Sequence, residues 1–90
     1  MFKDQVVLVT GGSRGIGEAI SLKLQEQGVT VIANYGGNDE KAKAFTERTG
    51  IAAMKWDVGD HQACLASCAR IAEEFGPVDI VVNNAGITRD

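Results

Sequence analysis

Short apolar runs alternate with longer amphipathic stretches along the whole chain. Four apolar runs lie at residues 5–10, 29–33, 51–56 and 79–83, and all but the third are rich in valine and isoleucine. Continuous runs of this kind are typical of strands buried on both faces of a parallel sheet. Between the runs, apolar residues recur at helical spacing. This pattern predicts helices over about 15–27 and 40–48, and a third that begins after Asp60 and ends at Gly76-Pro77.

The predicted element order is β-α-β-α-β-α-β, with crossovers long enough to hold helices. This order indicates an α/β fold, a parallel sheet with flanking helices. Ninety residues allow one domain at most. We expect residues 34–38 to form a loop, and Asn38 or Asp39 to cap the second helix.

Charge and hydropathy exclude several classes of partner. The formal net charge is −3, so the chain has no basic field for a nucleic acid. The longest apolar runs are too short to span a bilayer, and the first residues do not resemble a targeting segment. We therefore expect a cytoplasmic protein with no nucleic-acid or membrane partner.

A few side chains could hold a metal but have simpler explanations. Cys64 and Cys68 lie four residues apart on an apolar helix face, and could chelate a metal or be buried thiols. With no second ligand pair nearby, buried thiols are favoured and no metal is predicted. His61 is expected at the surface, Trp56 in the packing, and Lys41 on a solvated helix face.

A glycine-rich loop follows the first strand and opens the first helix. Residues 10–17 read Thr-Gly-Gly-Ser-Arg-Gly-Ile-Gly, a spacing that differs from the standard G-x-G-x-x-G. Glycine permits the sharp turn, the close approach of backbone to a pyrophosphate, and close packing of the helix on the sheet. The helix N-terminus offers unpaired N–H groups to phosphates. A phosphate-binding turn is favoured over a purely structural turn.

The residues after the second strand bear on the choice of cofactor. Proteins that bind NAD(H) usually carry an acid at this point for the ribose 2′-hydroxyl. Residues 33–35 contain no acid, and Arg14 in the glycine loop can meet a 2′-phosphate. NADP(H) is therefore predicted in preference to NAD(H).

Two motifs together resemble the classical short-chain dehydrogenases/reductases. They are Thr10–Gly17, after the first strand, and Asn83–Gly86, after the fourth. The longer run Asn83–Asp90 is similar to the 3-oxoacyl-[acyl-carrier-protein] reductase and acetoacetyl-CoA reductase branch. Residues 35–39 and 55–58 look more like the acetoacetyl-CoA reductases of polyhydroxybutyrate synthesis. The resemblance covers the whole chain.

The resemblance implies an NADPH-dependent reduction of a 3-oxoacyl thioester and a homotetrameric parent protein. It implies that the glycine loop holds the pyrophosphate, with Ser13 and Arg14 near the ribose phosphate, and that Asp57 accepts from adenine beside Val58. The alternative for Asp57 is an ordinary loop acid. Asp90 is expected near the substrate entrance, and Asn83 is expected to tie the fourth strand to a neighbour. The expected cofactor-binding residues are Gly11, Gly12, Ser13, Arg14, Gly15, Ile16, Gly17, Tyr35, Asp57, Val58, Asn84, Ala85, Gly86, Ile87 and Thr88.

The family's catalytic serine and its Tyr-x-x-x-Lys pair have no counterpart here. The single tyrosine is Tyr35, and the residue four positions after it is Asp39 rather than a lysine. We therefore expect residues 1–90 to be the amino-terminal part of one incomplete Rossmann domain, with no catalytic residue of its own. Two alternatives stay open: a short-chain reductase of sugars or steroids, and a complete, non-enzymatic nucleotide-binding module.

Overall fold

The computed structural model describes residues 5–84, which contain all seven predicted elements in the predicted order. The strands are β1 (Val6–Val9), β2 (Thr30–Tyr35), β3 (Ala52–Lys55) and β4 (Ile80–Val82), and the helices are α1 (Gly15–Glu26), α2 (Asp39–Thr49) and α3 (His61–Glu74). The prediction of a Rossmann-like α/β fold is confirmed.

All neighbouring strands pair in parallel, in the order β3-β2-β1-β4. The chain adds β2 and β3 on one side of β1 and then crosses back to place β4 on the other side. The strand order therefore reverses at β1. In open α/β sheets such a reversal opens a crevice at the carboxyl ends of the strands, where ligands bind.

The core has two layers because strand side chains alternate between the two sheet faces. Val7, Val9 and Val31 face α1 and α2, where Phe45 is fully buried. Val6, Leu8 and Ile32 face α3 and pack with Trp56 and Ile71. The continuous apolar runs of β1 and β2 are thus explained by burial on both faces, and the expected packing role of Trp56 is confirmed.

The expected loop at residues 34–38 begins later than predicted. Asn34 and Tyr35 belong to β2, where Asn34 pairs with Met54 and Tyr35 with Lys55. A polar residue is tolerated in this buried strand because backbone groups of neighbouring segments satisfy its carboxamide. Asn38, rather than Asp39, caps α2.

Apolar periodicity overstated burial at several helix positions. Ile16 fits the helical spacing of apolar residues in α1 but is 62% exposed, and it lines a cleft. Leu65 and Phe75 of the α3 region are also exposed, as is Val81 of β4. In α3 the buried residues are Ser67 and Ile71, and Leu65 lies about 120° around the helix from Ile71. Phe75 lies at the C-cap, beyond the last turn.

The other minor expectations have mixed outcomes. Cys64 and Cys68 are half-buried rather than core thiols, since they lie at the margin of the α3 layer. His61 is exposed, as expected, at the first position of α3. Within residues 5–84 no group of three or more His, Cys, Asp or Glu side chains could hold a metal ion, and no helix is long and apolar enough to cross a membrane.

Candidate nucleotide-binding site

A cleft of about 750 Å³ opens at the carboxyl ends of β1, β2 and β3. The glycine loop forms one wall, and the segments after β2 and β3 form the others. The predicted site residues that line it are Gly11, Ser13, Arg14, Gly15, Ile16, Tyr35, Asp57, Val58 and Asn84. The structure thus brings together four segments that are far apart in sequence.

The remaining predicted residues fall into two groups. Gly12 and Gly17 are buried and do not line the cleft. Ala85, Gly86, Ile87, Thr88 and Asp90 lie outside the described residues.

Two glycines of the loop adopt backbone conformations that other residues rarely take. Gly11 has φ 62° and Gly15 has φ 58°, both in the left-handed region. A Cβ on Gly15 would meet no atom within 4 Å, so this glycine is required by its backbone conformation and leaves free space beside the loop.

Gly12 and Gly17 instead allow close contacts behind the loop. A Cβ on Gly17 would collide with the carbonyl oxygen of Gly11 and lie 2.7 Å from Nδ2 of Asn84. A Cβ on Gly12 would lie 2.8 Å from the carbonyl oxygen of Val9. Both distances are shorter than real Cβ contacts, so a larger residue would displace the loop.

Three buried polar side chains brace the same loop. Ser21 lies on α1, and its Oγ is 3.0 Å from the carbonyl oxygen of Gly12 and 2.9 Å from that of Gly17. Asn34 Oδ1 accepts from the Gly11 N–H at 3.1 Å, and Asn84 Nδ2 donates to the Gly11 carbonyl at 3.2 Å. Sequence reasoning missed Ser21 and Asn34; the available signal for Asn34 was a lone amide at the end of an apolar run.

The N-terminus of α1 is capped differently from those of α2 and α3. Asn38 Oδ1 accepts from the Lys41 N–H at 3.0 Å, and Asp60 Oδ1 accepts from the Ala63 N–H at 3.1 Å. Arg14 occupies the N-cap position of α1 but makes no side-chain cap hydrogen bond. The first turn of α1 therefore presents backbone N–H groups beside the cleft without a side-chain acceptor.

Two cationic side chains line the cleft. Arg14 comes from the glycine loop and Lys41 from the first turn of α2. The expectation that Lys41 lies on a solvated face was incomplete, since the residue is exposed but borders the cleft. The signal that could have found it is its place within the first turn after the β2–α2 loop.

Asp39 is the acid nearest the end of β2, and it is already engaged. Its Oδ1 accepts from the Tyr35 hydroxyl at 3.0 Å and lies 3.4 Å from Lys55 Nζ. Desolvation and then this hydrogen bond to the Asp39 carboxylate raise the pKa of Tyr35 above its ordinary value. The phenol therefore stays protonated at neutral pH and serves as a donor to Asp39.

The segment after β3 forms an Asx-type turn. Asp57 Oδ1 accepts from the Gly59 N–H at 2.8 Å. This bond fixes the direction of the Asp57 side chain at the cleft wall formed by Trp56, Asp57 and Val58. The two readings of Asp57, loop acid and adenine acceptor, are compatible because the turn uses only one of its oxygens.

Asn84 closes the cleft on the β4 side. It is 3% exposed, and its Oδ1 accepts no hydrogen bond from any residue within 5–84. Buried amide oxygens are nearly always paired, so an unpaired one beside a cleft fits a ligand hydroxyl. Asn83 behaves as expected: its Oδ1 accepts from Thr10 Oγ1 at 3.3 Å, which ties the end of β4 to that of β1.

Comparison with known proteins identifies the family. The profile of the short chain dehydrogenase family matches residues 5–90, nearly the whole chain. The chain therefore belongs to the short-chain dehydrogenase family.

The similar proteins include acetoacetyl-CoA reductases and a 3-oxoacyl-[acyl-carrier-protein] reductase. The chain is 62% identical over 86 residues to an acetoacetyl-CoA reductase from Paracoccus denitrificans, and 60% identical over 87 residues to one from Rhizobium meliloti. It is 46% identical over 88 residues to a 3-oxoacyl-[acyl-carrier-protein] reductase from Staphylococcus aureus. These matches cover 96%, 97% and 92% of this chain but only 36% of each relative.

A solved structure gives the same result for the fold. A double mutant of a Serratia marcescens short-chain dehydrogenase/reductase superposes with a TM-score of 0.84 at 33% identity. The match covers 92% of this chain and 36% of that protein.

Proposed function

We propose that this chain is the amino-terminal, cofactor-binding part of an NADPH-dependent reductase. Its substrate is a 3-oxoacyl thioester, acetoacetyl-CoA or a 3-oxoacyl-[acyl-carrier-protein], and its product is the 3-hydroxyacyl thioester. The family and the names of its relatives support the reaction class. The observation that carries the cofactor proposal is a cleft that joins an uncapped helix N-terminus to Arg14 and Lys41.

The glycine loop and the first turn of α1 hold the cofactor pyrophosphate in this proposal. Helix N-termini attract anions because their N–H groups are unpaired and the helix dipole is positive there. The loop residues Gly15 and Ile16 bring those groups to the cleft. Because Gly15 has no Cβ, the phosphates can approach the backbone directly.

Arg14 and Lys41 hold the 2′-phosphate that distinguishes NADPH from NADH. A guanidinium and an ammonium both suit a phosphate dianion. NADH would instead require a free carboxylate for its 2′-hydroxyl. Asp39 meets this requirement poorly, because it is hydrogen-bonded to Tyr35 and paired with Lys55. Tyr35 then borders the adenosine ribose through its ring.

The adenine end of the cofactor is assigned to the segment after β3, and the nicotinamide end to the segment after β4. Asp57 and Val58 bind adenine, with the second oxygen of Asp57 accepting from the amino group. Asn84 Oδ1 accepts from a hydroxyl of the nicotinamide ribose, which satisfies its buried oxygen. Ala85, Gly86, Ile87 and Thr88 continue that wall, and Asp90 lies near the thioester entrance.

NADPH supplies a hydride to the ketone carbon when it is bound. The described residues bind and orient the cofactor, and the braced glycine loop fixes where its phosphates sit. None of them is offered as the acid that protonates the ketone oxygen, because Tyr35 donates to Asp39. We propose that the catalytic serine, tyrosine and lysine lie elsewhere in the full-length protein, which is cytoplasmic and homotetrameric.

Turnover of purified full-length protein tests the reaction. We expect oxidation of NADPH, followed by absorbance, with acetoacetyl-CoA and with a 3-oxoacyl-[acyl-carrier-protein]. Turnover of sugar or steroid carbonyls alone would reject the thioester assignment. Binding of NADPH with no turnover of any carbonyl would favour the non-enzymatic nucleotide-binding module.

A further inference from the structure

Asn34 joins two walls of the cleft through one buried carboxamide. It lies within β2, is 2% exposed and is flanked in sequence by Ala33 and Tyr35. Its Oδ1 accepts from the Gly11 N–H at 3.1 Å, and its Nδ2 donates to the Trp56 carbonyl at 2.9 Å. The side chain therefore connects the loop after β1 with the segment after β3.

Only a side chain with both a donor and an acceptor can make this connection. A carboxamide has both at one branch point, whereas an ionised carboxylate of the same shape only accepts. The backbone adds a third link, since the Asn34 carbonyl accepts from the Gly12 N–H at 3.0 Å. The ends of three adjacent strands thus form one hydrogen-bonded unit.

The position of Gly11 is fixed from two sides. Asn34 accepts from its N–H, and Asn84 donates to its carbonyl. Each amide is almost fully buried, so water competes little for these bonds. The phosphate-binding loop consequently has little freedom to move relative to the wall that contains Trp56 and Asp57.

We propose that Asn34 is a positioning residue for the nucleotide. It sets the separation between the pyrophosphate loop and the adenine wall, so that one bound cofactor can reach both. This inference rests on the proposed function, because it takes the occupant of the cleft to be a dinucleotide. Asn34 acts through Gly11 and Trp56 rather than by selecting between NADPH and NADH.

The substitution Asn34→Asp separates positioning from selection. An acid near the end of β2 is what NAD-binding proteins use for the ribose 2′-hydroxyl. If residue 34 selects the cofactor, this variant gains affinity for NADH. If residue 34 positions the walls, the variant loses the donor to Trp56, sets two oxygens against each other, and binds both cofactors less well.

The experiment compares the full-length protein with Asn34→Asp and Asn34→Ser, which removes the bridge without adding charge. Gln25→Glu is the matched control, since Gln25 Nε2 donates to the Thr49 carbonyl at 2.9 Å far along α1 from the cleft. We measure Kd for NADPH and NADH by cofactor fluorescence, with KM and kcat for the thioester reaction. A thermal melt on each variant gives the folded fraction.

We expect both Asn34 variants to raise Kd and KM for both cofactors about tenfold or more, because Asn34→Asp loses one buried hydrogen bond and Asn34→Ser loses two. We expect kcat at saturating cofactor to stay within about twofold, and Gln25→Glu to match the wild type. Unchanged Kd, with only a lower folded fraction, would overturn the inference in favour of a purely structural role. Tighter NADH binding by Asn34→Asp would overturn it in favour of selection. Failure of the wild type to bind NADPH would reject the proposed function instead.

Discussion

The junction between β1 and α1 differs from the two later strand-to-helix junctions in what meets the helix N–H groups. At α2 the Asn38 side chain accepts from a backbone N–H of the first turn, and at α3 the Asp60 side chain does the same. At α1 the N-cap is Arg14, which makes no such bond and borders the cleft. At α2 and α3 a capping side chain therefore satisfies a helix N–H group. At α1 no side chain within residues 5–84 does so, which leaves the N–H groups available for an anion.

The loops also differ in how they are supported. The β1–α1 loop is held by Ser21 of α1, Asn34 of β2 and Asn84, which follows β4, and all three side chains bind its backbone. The loop after β3 is held by its own Asp57 and Asp60 as well as by Asn34, which donates to the Trp56 carbonyl at the start of the loop. A loop that relies on distant residues keeps its own side chains free for a ligand, and we interpret the β1–α1 junction in this way.

Gly17→Ala is expected to damage the β1–α1 junction most. The new Cβ would collide with the Gly11 carbonyl and with Nδ2 of Asn84, which are hydrogen-bonded to each other. We expect a loss of about 3 kcal/mol in the free energy of unfolding, measured by urea denaturation. Gly36→Ala is the control, since its Cβ would meet nothing within 4 Å, and it should change stability by less than about 1 kcal/mol. Equal stability of the two variants would contradict the packing described for Gly17.

Arg14→Ala and Lys41→Ala are expected to weaken cofactor binding rather than folding. Each removes one of the two cations that line the cleft, so the Kd for NADPH should rise about tenfold while that for NADH stays nearly constant. The control is Lys43→Ala, an exposed lysine of α2 that does not line the cleft. An unchanged preference for NADPH in either variant would remove that residue from the proposed 2′-phosphate site.

The N-cap side chains of α1 and α3 are expected to contribute differently to stability. Asp60→Ala removes an N-cap hydrogen bond to Ala63 and should cost about 1 kcal/mol of unfolding free energy. Arg14→Ala removes no cap bond and should cost much less. Chemical denaturation of the two variants side by side checks this. A cost for Arg14→Ala as large as that for Asp60→Ala would show that the α1 terminus depends on its N-cap side chain after all.

Arg48→Ala is expected to have the smallest effect. Arg48 makes two hydrogen bonds to Glu18, at 3.0 and 3.2 Å, and these bonds with the nearby charge raise its pKa above its ordinary value. The pair links α1 to α2 at the exposed surface, where water and salt screen it. We expect Tm to change by less than about 2 °C. A large fall that disappears in high salt would mean that this surface pair holds the two helices together.

Much of the fold could be predicted from the sequence because its signals are local. Continuous apolar runs gave the strands of a doubly covered sheet, and glycine at position 50 and asparagine at position 38 marked the ends of α2. The glycine loop was recognisable because it lies directly between a strand and a helix. For these features the necessary residues lie within a few positions of one another.

The supports of the cleft could not be predicted because they depend on contacts between distant segments. The sequence predicts Asn34 to lie in a loop, because its partners Gly11 and Trp56 are 23 and 22 residues away. It predicts Lys41 to be a solvated side chain, because helical periodicity does not say which exposed residues border a cleft. Ile16 fits an apolar helical spacing, but its side chain is exposed and borders the cleft.

Titration of the full-length wild-type protein with NADPH and with NADH tests the central claim most directly. The claim is that the β1–α1 junction, with Arg14 and Lys41, forms the phosphate site of an NADPH-binding cleft. It predicts that NADPH binds at least about tenfold more tightly than NADH, and that rising salt narrows the difference because it screens the exposed cations. Equal affinity for the two cofactors, or tighter binding of NADH, would contradict it.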